Sequence, residues 1–147
     1  MAWGDVDFLI LDLPPGTGDI QLTIVQTAEL DGVVVVTTPQ EVALIDARKA
    51  IGLFERVETP ILGIIENMSY FQCPSDGKIY HIFGEGGGER EAAKLGVPLL
   101  GKIPLDISTR FGGDEGRPVA LEDPGQNPVS AAFRQVAEQC ARVVLDR

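Results

Sequence analysis

The segment with the clearest potential for chemistry is LDLPPGTGD, residues 11–19. Asp12 follows the apolar run 7–11, and in α/β proteins ligands bind beyond the carboxyl ends of such strands. A carboxylate in that place suits Mg²⁺, which prefers hard oxygen ligands. Gly16 and Gly18 let backbone N–H groups come close to an anion. The segment therefore predicts a loop that binds magnesium and phosphate, and a plain strand-to-helix turn is the alternative.

A second residue with chemical potential is Cys73, in the turn-rich and aromatic-containing segment 67–88. Loops of this length in a compact domain are usually functional or disordered. The other cysteine, Cys140, falls on the apolar stripe of a helical pattern, and we expect it to pack in the core. Because the two cysteines are far apart and lie in different contexts, they indicate a cytosolic protein rather than a disulfide framework.

Four continuous apolar runs are expected to form the strands that position these residues. They show no alternation of apolar and polar positions, which predicts a parallel sheet with helices on both faces and an α/β fold. The runs are residues 7–11, 33–38, 61–67 and 98–104. Segments with helical periodicity lie between them, with Asp19 and Asn127 as expected N-caps. These segments are residues 20–30, 41–57, 89–95 and the stretch from 128 onward.

The composition is that of one soluble globular domain, with 147 residues, 44% apolar and 23% charged. A net charge of -10 repels phosphate backbones, and no Lys/Arg cluster overrides it, so we expect no nucleic-acid binding. The longest apolar runs are too short to cross a bilayer, and residues 1–20 lack the pattern of a signal peptide. We therefore expect a cytoplasmic protein that binds no membrane.

Five motifs in a fixed order carry a family resemblance: LDLPPGTGD, TTPQEVALIDARKAI, ENMSYFQCP, FGEGGG and GKIPLD. Together they resemble the Mrp/ApbC family of ATP-binding iron–sulfur cluster carriers, relatives of MinD and of the nitrogenase iron protein. The resemblance extends over essentially the whole chain. It implies a P-loop ATPase that forms a homodimer, binds a [4Fe–4S] cluster at the subunit interface and passes it to apo-proteins.

The resemblance also implies roles for the loop residues. Asp12 is similar to the Walker B aspartate that holds Mg²⁺, and Gly16 to the switch glycine that senses the γ-phosphate. Thr17 and Asp19 would move with the nucleotide state and relay it to the dimer partner. The implied reaction is transfer of the γ-phosphoryl group of ATP to water, aided by Mg²⁺.

Two further positions match the adenine side of the family's site. Asn67 resembles the asparagine that hydrogen-bonds the adenine edge, and Pro104 resembles the proline loop beside the base. Taken without its motif, Asn67 would instead be interpreted as a turn or cap residue.

One departure from the family is that the sequence contains no Walker A motif, GxxxxGK(S/T). The only glycine-rich run, residues 84–88, is followed by Glu-Arg-Glu and therefore predicts a turn into a helix. In the family the phosphate loop lies N-terminal to the magnesium aspartate. We therefore interpret residues 1–147 as a single partial P-loop ATPase domain, from the Walker B strand onward and without the N-terminal half, which does not hydrolyse ATP alone.

A second departure concerns the cluster ligands, which the family supplies as Cys-Pro-x-Cys. Here Cys73 is followed by Pro74, Ser75 and Asp76, so an aspartate stands in place of the second thiolate. Iron–sulfur clusters favour four thiolates, and a two-fold dimer would supply two unless Asp76 donates an oxygen. His81 has no motif support as a ligand. Cys73 as an ordinary loop thiol is the alternative.

Three hypotheses follow. The first is an Mrp-type ATPase that carries iron–sulfur clusters to client apo-proteins. The second is a MinD-like regulatory or positioning ATPase without a cluster, which the missing second cysteine favours. The third is a chain with no independent activity.

Overall fold

The computed structural model describes residues 3–14 and 18–146. In this part of the chain, helices and strands follow one another in the order expected for an α/β protein. They are α1 Asp19–Thr27, β1 Val33–Thr37, α2 Glu41–Arg56, β2 Ile61–Glu66, β3 Phe71–Gln72, β4 Ile79–Tyr80, α3 Gly87–Leu95, β5 Leu99–Lys102, α4 Ile107–Asp114, a 3₁₀ turn Val119–Leu121, and α5 Pro128–Leu145.

The main sheet confirms three of the four strand predictions. Its strand order is β1-β2-β5, and both pairings are parallel. The apolar core forms where α2 and α3 pack on this sheet, with Val35 and Ile64 buried against Ile51 and Ala92. Helix α5 packs against β5 so closely that a Cβ on Gly101 would lie 2.5 Å from a methyl group of Val136. The fold class is therefore α/β, with a parallel sheet and flanking helices.

The prediction of a buried strand at residues 7–11 is wrong in this structure. These residues form no strand, and their apolar side chains are exposed, Ile10 to 89%. The physical reason is the lack of partners, because β1 pairs only with β2 among the described residues. A segment that is apolar on both sides needs a paired backbone and cover on both faces to be a stable strand.

The expectation that every strand is covered on both faces is also wrong for β1. Its residues alternate, with Val33, Val35 and Thr37 buried and Val36 exposed to 59%. In α2 the buried side chains are Leu44, Ile51 and Phe54. The alternation along β1 shows that the face of the strand that carries Val36 is open to solvent.

Helix ends and loops differ from the sequence-based expectations in detail. Asp19 is the first residue of α1 and Gly18 is its N-cap, so the expected Asp19 cap is wrong. Asn127 does cap α5, since its Oδ1 accepts hydrogen bonds from the N–H groups of Val129 at 2.8 Å and Ser130 at 3.3 Å. The segment 67–88 contains the antiparallel β3–β4 hairpin. None of the described helices is long and apolar enough to span a membrane.

Candidate functional site

The three strands of the main sheet end at one edge, and the segments that follow them are joined by backbone hydrogen bonds. The N–H of Asn67 donates to the carbonyl of Thr37 at 2.7 Å, which ties the end of β2 to the end of β1. The N–H of Ile103 donates to the carbonyl of Glu66 at 2.9 Å, and the N–H of Ser69 donates to the carbonyl of Ile103 at 3.0 Å. Asn67 and Pro104, the two residues expected on the adenine side, therefore lie on neighbouring segments at the carboxyl edge of the sheet, where α/β proteins in general bind ligands.

Asn67 also forms a tight turn. Its Oδ1 accepts a hydrogen bond from the N–H of Met68 at 2.9 Å. Met68 has a φ of 52°, a left-handed conformation that is strained for a side chain of this kind. The turn interpretation of Asn67 is thus correct, since its side-chain oxygen bonds the turn. The residue itself is half-buried at the edge of the sheet. Its contact with adenine stays a prediction.

Glu66 is a residue that the sequence analysis missed. Its side chain is completely buried at the end of β2. Oε1 accepts a hydrogen bond from the Ser69 hydroxyl at 2.5 Å, and Oε2 accepts one from the N–H of Gly88 at 2.6 Å. The signal in the sequence was the glycine run before α3. A Cβ on Gly88 would lie 3.0 Å from Glu66 Cβ, and one on Gly87 would lie 2.5 Å from the carbonyl oxygen of Pro39.

Cys73 lies at the tip of the β3–β4 hairpin, where the chain reverses. Its N–H donates to the carbonyl of Lys78 at 2.9 Å, and its carbonyl accepts from the N–H of Gly77 at 2.8 Å. The thiol sulfur is 3.0 Å from Ser75 Oγ. The residues around it, from Pro74 to Tyr80, are exposed, so the hairpin presents Cys73 to the outside of the molecule.

The hydrogen bonds at the hairpin tip favour the anionic forms of Cys73 and Asp76. The Ser75 hydroxyl lowers the pKa of the Cys73 thiol, and the backbone N–H of Lys78 lowers the pKa of the Asp76 carboxyl. His81 turns instead toward Glu85, with 3.6 Å between Nε2 and Oε1. Across the described ranges, no three of the His, Cys, Asp and Glu side chains form a group that could hold a metal ion. Cys73 as a cluster ligand, with Asp76 beside it, stays a prediction.

Among the described residues, no hydrogen bond joins Asp12 or Asp19, which were expected on the phosphate side, to Asn67 or Pro104. Gly16 and Thr17 lie outside the described residues. Asp12 is exposed in the irregular segment before α1, and Asp19 is exposed on the first turn of that helix. Gln21 connects α1 to this segment, since its amide nitrogen donates to the carbonyl of Pro14. The roles of Asp12 and Asp19 stay predictions.

Known proteins resemble the chain in both sequence and structure. A family model described as "ParA: NUBPL iron-transfer P-loop NTPase" matches residues 1–141. The iron-sulfur cluster carrier protein of Pyrococcus furiosus is 51% identical over 139 residues, which are 95% of this chain and 46% of the relative.

Solved structures of P-loop proteins also match. A nucleotide-binding protein from Archaeoglobus fulgidus, solved in complex with ADP, is 45% identical with a TM-score of 0.70, over 79% of this chain and 48% of the other. The cell division ATPase MinD of Pyrococcus furiosus is 26% identical with a TM-score of 0.58, over 77% and 43% of the two chains. The chain therefore spans less than half the length of each of these proteins.

Proposed function

Since the chain belongs to the ParA family, described as NUBPL iron-transfer P-loop NTPases, we propose that it acts in an ATP-dependent iron–sulfur cluster carrier. In this proposal residues 1–147 are one partial P-loop ATPase domain of a cytoplasmic protein. The cluster is the cargo, and its recipients are apo iron–sulfur proteins. The P. furiosus relative is named as such a carrier, which supports the proposal.

The observation that carries the proposal is the position of Cys73. Its thiol lies on an exposed hairpin tip, beside hydrogen-bond donors that favour the thiolate, the form of cysteine that binds iron. Cys140 on α5 is half-buried like Cys73, but burial raises the pKa of its thiol. The hairpin begins four residues after Asn67, so a change at the nucleotide edge has a short path to the thiol.

A homodimer is part of the proposal because one chain cannot complete the ligand set. Two copies related by a two-fold axis would supply two Cys73 thiolates to one cluster, and two Asp76 carboxylates beside them. The depressed pKa of Asp76 means that its carboxylate is ionised and able to donate an oxygen at neutral pH. We therefore place the cluster between the two hairpin tips.

The nucleotide side fits in part. In this proposal the adenine lies against Asn67 and Pro104, whose neighbouring segments are joined by backbone hydrogen bonds, which supports it. On the phosphate side, Asp12 would hold Mg²⁺, Gly16 would sense the γ-phosphate, and Thr17 and Asp19 would relay the nucleotide state. ATP with Mg²⁺ would supply a phosphoryl group for transfer to water.

The cluster proposal is tested by anaerobic reconstitution of the chain with ferrous iron and sulfide. We expect visible absorbance and bound iron in the wild-type chain, and loss of both in Cys73→Ala. The matched control is Cys140→Ala, which removes the other cysteine and should bind as much iron as the wild type. A Cys73→Ala chain that binds as much iron as Cys140→Ala would show that this thiol is not the cluster ligand.

The nucleotide part is tested by equilibrium dialysis with Mg-ATP. Because the sequence has no GxxxxGK(S/T) loop, we expect the 147-residue chain not to bind ATP in the micromolar range and not to release phosphate. Micromolar binding would show that the residues present are sufficient for the phosphates.

A second candidate is a MinD-like positioning ATPase without a cluster. The aspartate at position 76, in place of a second thiolate, favours it, and MinD has the same fold. Such proteins use an amphipathic helix with a basic face to reach membranes, whereas α5 mixes Arg134 and Arg142 with Glu138. Sedimentation with anionic liposomes in the presence of ATP separates the two candidates, since the carrier is expected to stay in the supernatant.

A further inference from the structure

Glu66 is a buried acid at the end of β2 whose side chain contacts both α3 and the segment after β2. Its side chain has no exposed surface, and a buried carboxylate is costly unless donors satisfy it. One donor is the backbone N–H of Gly88 in the first turn of α3, where the helix dipole also favours negative charge. The other is the hydroxyl of Ser69, just beyond the Asn67 turn. The carboxylate thus links α3 to the segment that follows β2.

The turn between these contacts is strained. Met68 occupies the left-handed region, which is unfavourable for a residue other than glycine and persists only where the surroundings hold it. Before the strained residue, the Asn67 N–H is bonded to Thr37; after it, the Ser69 hydroxyl is bonded to Glu66. The turn is therefore held on both sides of Met68, by the Thr37 carbonyl before it and by Glu66 after it, and the N–H of Ser69 also donates to the carbonyl of Ile103.

The glycine run before α3 has a role in the same arrangement. Because a Cβ on Gly88 would lie 3.2 Å from Glu66 Oε2, a larger residue there would require Glu66 or α3 to shift by a few tenths of an ångström. Gly87 lets the same turn of α3 approach the carbonyl of Pro39 at the end of β1. The close approach of α3 is what brings its N–H groups within reach of Glu66.

We propose that Glu66 is a positioning residue for the nucleotide edge: it orients Asn67 toward the base by locking the turn 67–69 to the N-terminus of α3. This inference rests on the adenine-side role that the proposed function gives Asn67. Glu66 itself touches no ligand. It acts through Ser69 and the strained turn.

The disrupting variant is Glu66→Val, which keeps a strand-forming side chain but leaves the Gly88 N–H and the Ser69 hydroxyl unpaired. The conservative variant is Glu66→Gln, whose amide can still accept from Gly88 and can donate to Ser69 Oγ. The matched control is Glu91→Leu, which removes the other buried acid of this region without touching the turn. Ser69→Ala is a milder variant that removes one contact if Glu66→Val does not fold.

Two measurements are made on the full chain. Amide hydrogen exchange reports whether the turn is held, through the N–H groups of Ser69 and Leu105 relative to Ile64 in β2. NMR titration with adenosine and with guanosine reports whether the edge reads the base. We expect Glu66→Val to raise relative exchange at Ser69 and Leu105 about tenfold and to abolish adenosine shifts at Asn67.

The conservative and control variants decide whether Glu66 positions the turn 67–69 or only contributes to the stability of the fold. We expect Glu66→Gln to restore both readouts, Ser69→Ala to raise relative exchange about threefold, and Glu91→Leu to leave the exchange ratio within about twofold of wild type. If Glu66→Val, or Ser69→Ala in its place, leaves the exchange ratio as Glu91→Leu does, the proposal is overturned. If the wild-type chain shows no adenosine shifts at Asn67, the adenine role fails, and the exchange data still decide whether Glu66 holds the turn.

Discussion

Arg48 of α2 donates two parallel hydrogen bonds to Glu91 of α3, from Nε to Oε2 at 2.8 Å and from Nη2 to Oε1 at 2.6 Å. The Glu91 side chain is only 6% exposed, and Lys94 donates to the same Oε1 at 2.8 Å. A bidentate guanidinium–carboxylate pair is among the stronger polar contacts in proteins. It joins the two helices that cover β1 and β2.

Replacing Glu91 by glutamine is therefore expected to destabilise the fold. The change leaves the Arg48 guanidinium facing a neutral amide, and we expect a loss of about 1.5–3 kcal/mol in the free energy of unfolding at neutral pH. Urea unfolding followed by circular dichroism measures it. The control is Asp46→Asn, which breaks the exposed pair with Lys49 and should change stability by less than about 0.5 kcal/mol. Equal losses in the two variants would contradict this assignment.

The same pair predicts how stability depends on pH. The hydrogen bonds from Arg48 lower the pKa of Glu91 from 4.5 to about 2 in the folded chain. Because the unfolded chain takes up its proton first, the contribution of Glu91 is full above about pH 4.5 and is lost as the pH falls toward about 2. The stability difference between wild type and Glu91→Gln should therefore shrink below about pH 4.5 in urea unfolding at a series of pH values. A difference that grows with acid would count against it.

Two glycines in helices predict opposite effects of the same substitution. Gly88→Ala would bring a Cβ to 3.0 Å from Glu66 Cβ, and we expect it to destabilise the chain by about 1–3 kcal/mol. Gly52→Ala in α2 meets no atom within 4 Å and should stabilise by about 0.5–1 kcal/mol. Thermal unfolding of both variants checks the sign. Gly88→Ala with wild-type stability would show that the contact relaxes without cost.

The two cysteines should differ in reactivity. The Ser75 hydroxyl lowers the pKa of Cys73, whereas burial raises the pKa of Cys140. Because the thiolate is the nucleophile, iodoacetamide near neutral pH should alkylate Cys73 roughly tenfold faster or more, as measured by peptide mass spectrometry. Ser75→Ala is expected to slow Cys73 and to leave Cys140 unchanged. Equal rates for the two thiols in the wild-type chain would refute the prediction.

The N-cap of α5 gives a stability prediction that is independent of the site. Asn127 Oδ1 accepts hydrogen bonds from the N–H groups of Val129 and Ser130. Asn127→Ala should cost about 1 kcal/mol in the free energy of unfolding, whereas Asn127→Asp or Asn127→Ser should recover most of it. Urea unfolding measures all three variants, and an alanine variant as stable as the aspartate variant would contradict the capping role.

Much of the fold could be predicted because it depends on local patterns. The runs of β-branched residues at 33–38 and 61–67 are strands, and Asn127 followed by proline begins a helix. The run at 7–11 has the same pattern but forms no strand here. An apolar run indicates that a segment is stable only when other elements bury it, and the rest of the structure determines whether they do.

The candidate site divides in the same way. Asn67, Pro104 and Cys73 could be named from motifs, and the structure places the first two on adjoining segments and the third on an exposed hairpin. Glu66 could not be named, because an acid at the end of an apolar run is usually exposed. Its burial depends on the approach of Gly88, which lies 22 residues further along the chain.

The sequence by itself determined the family and the three parallel strands, and it predicted which residues would bind Mg²⁺, adenine or iron, because residue type and short-range spacing carry that information. Only the tertiary structure decided that Glu66 meets Gly88 and that Arg48 meets Glu91, 43 residues away. Contacts at such separations depend on how closely α3 packs on the sheet and on α2. The packing distance of α3 is set by the glycines at the contact, which have no side chain. It is known only when the elements are assembled.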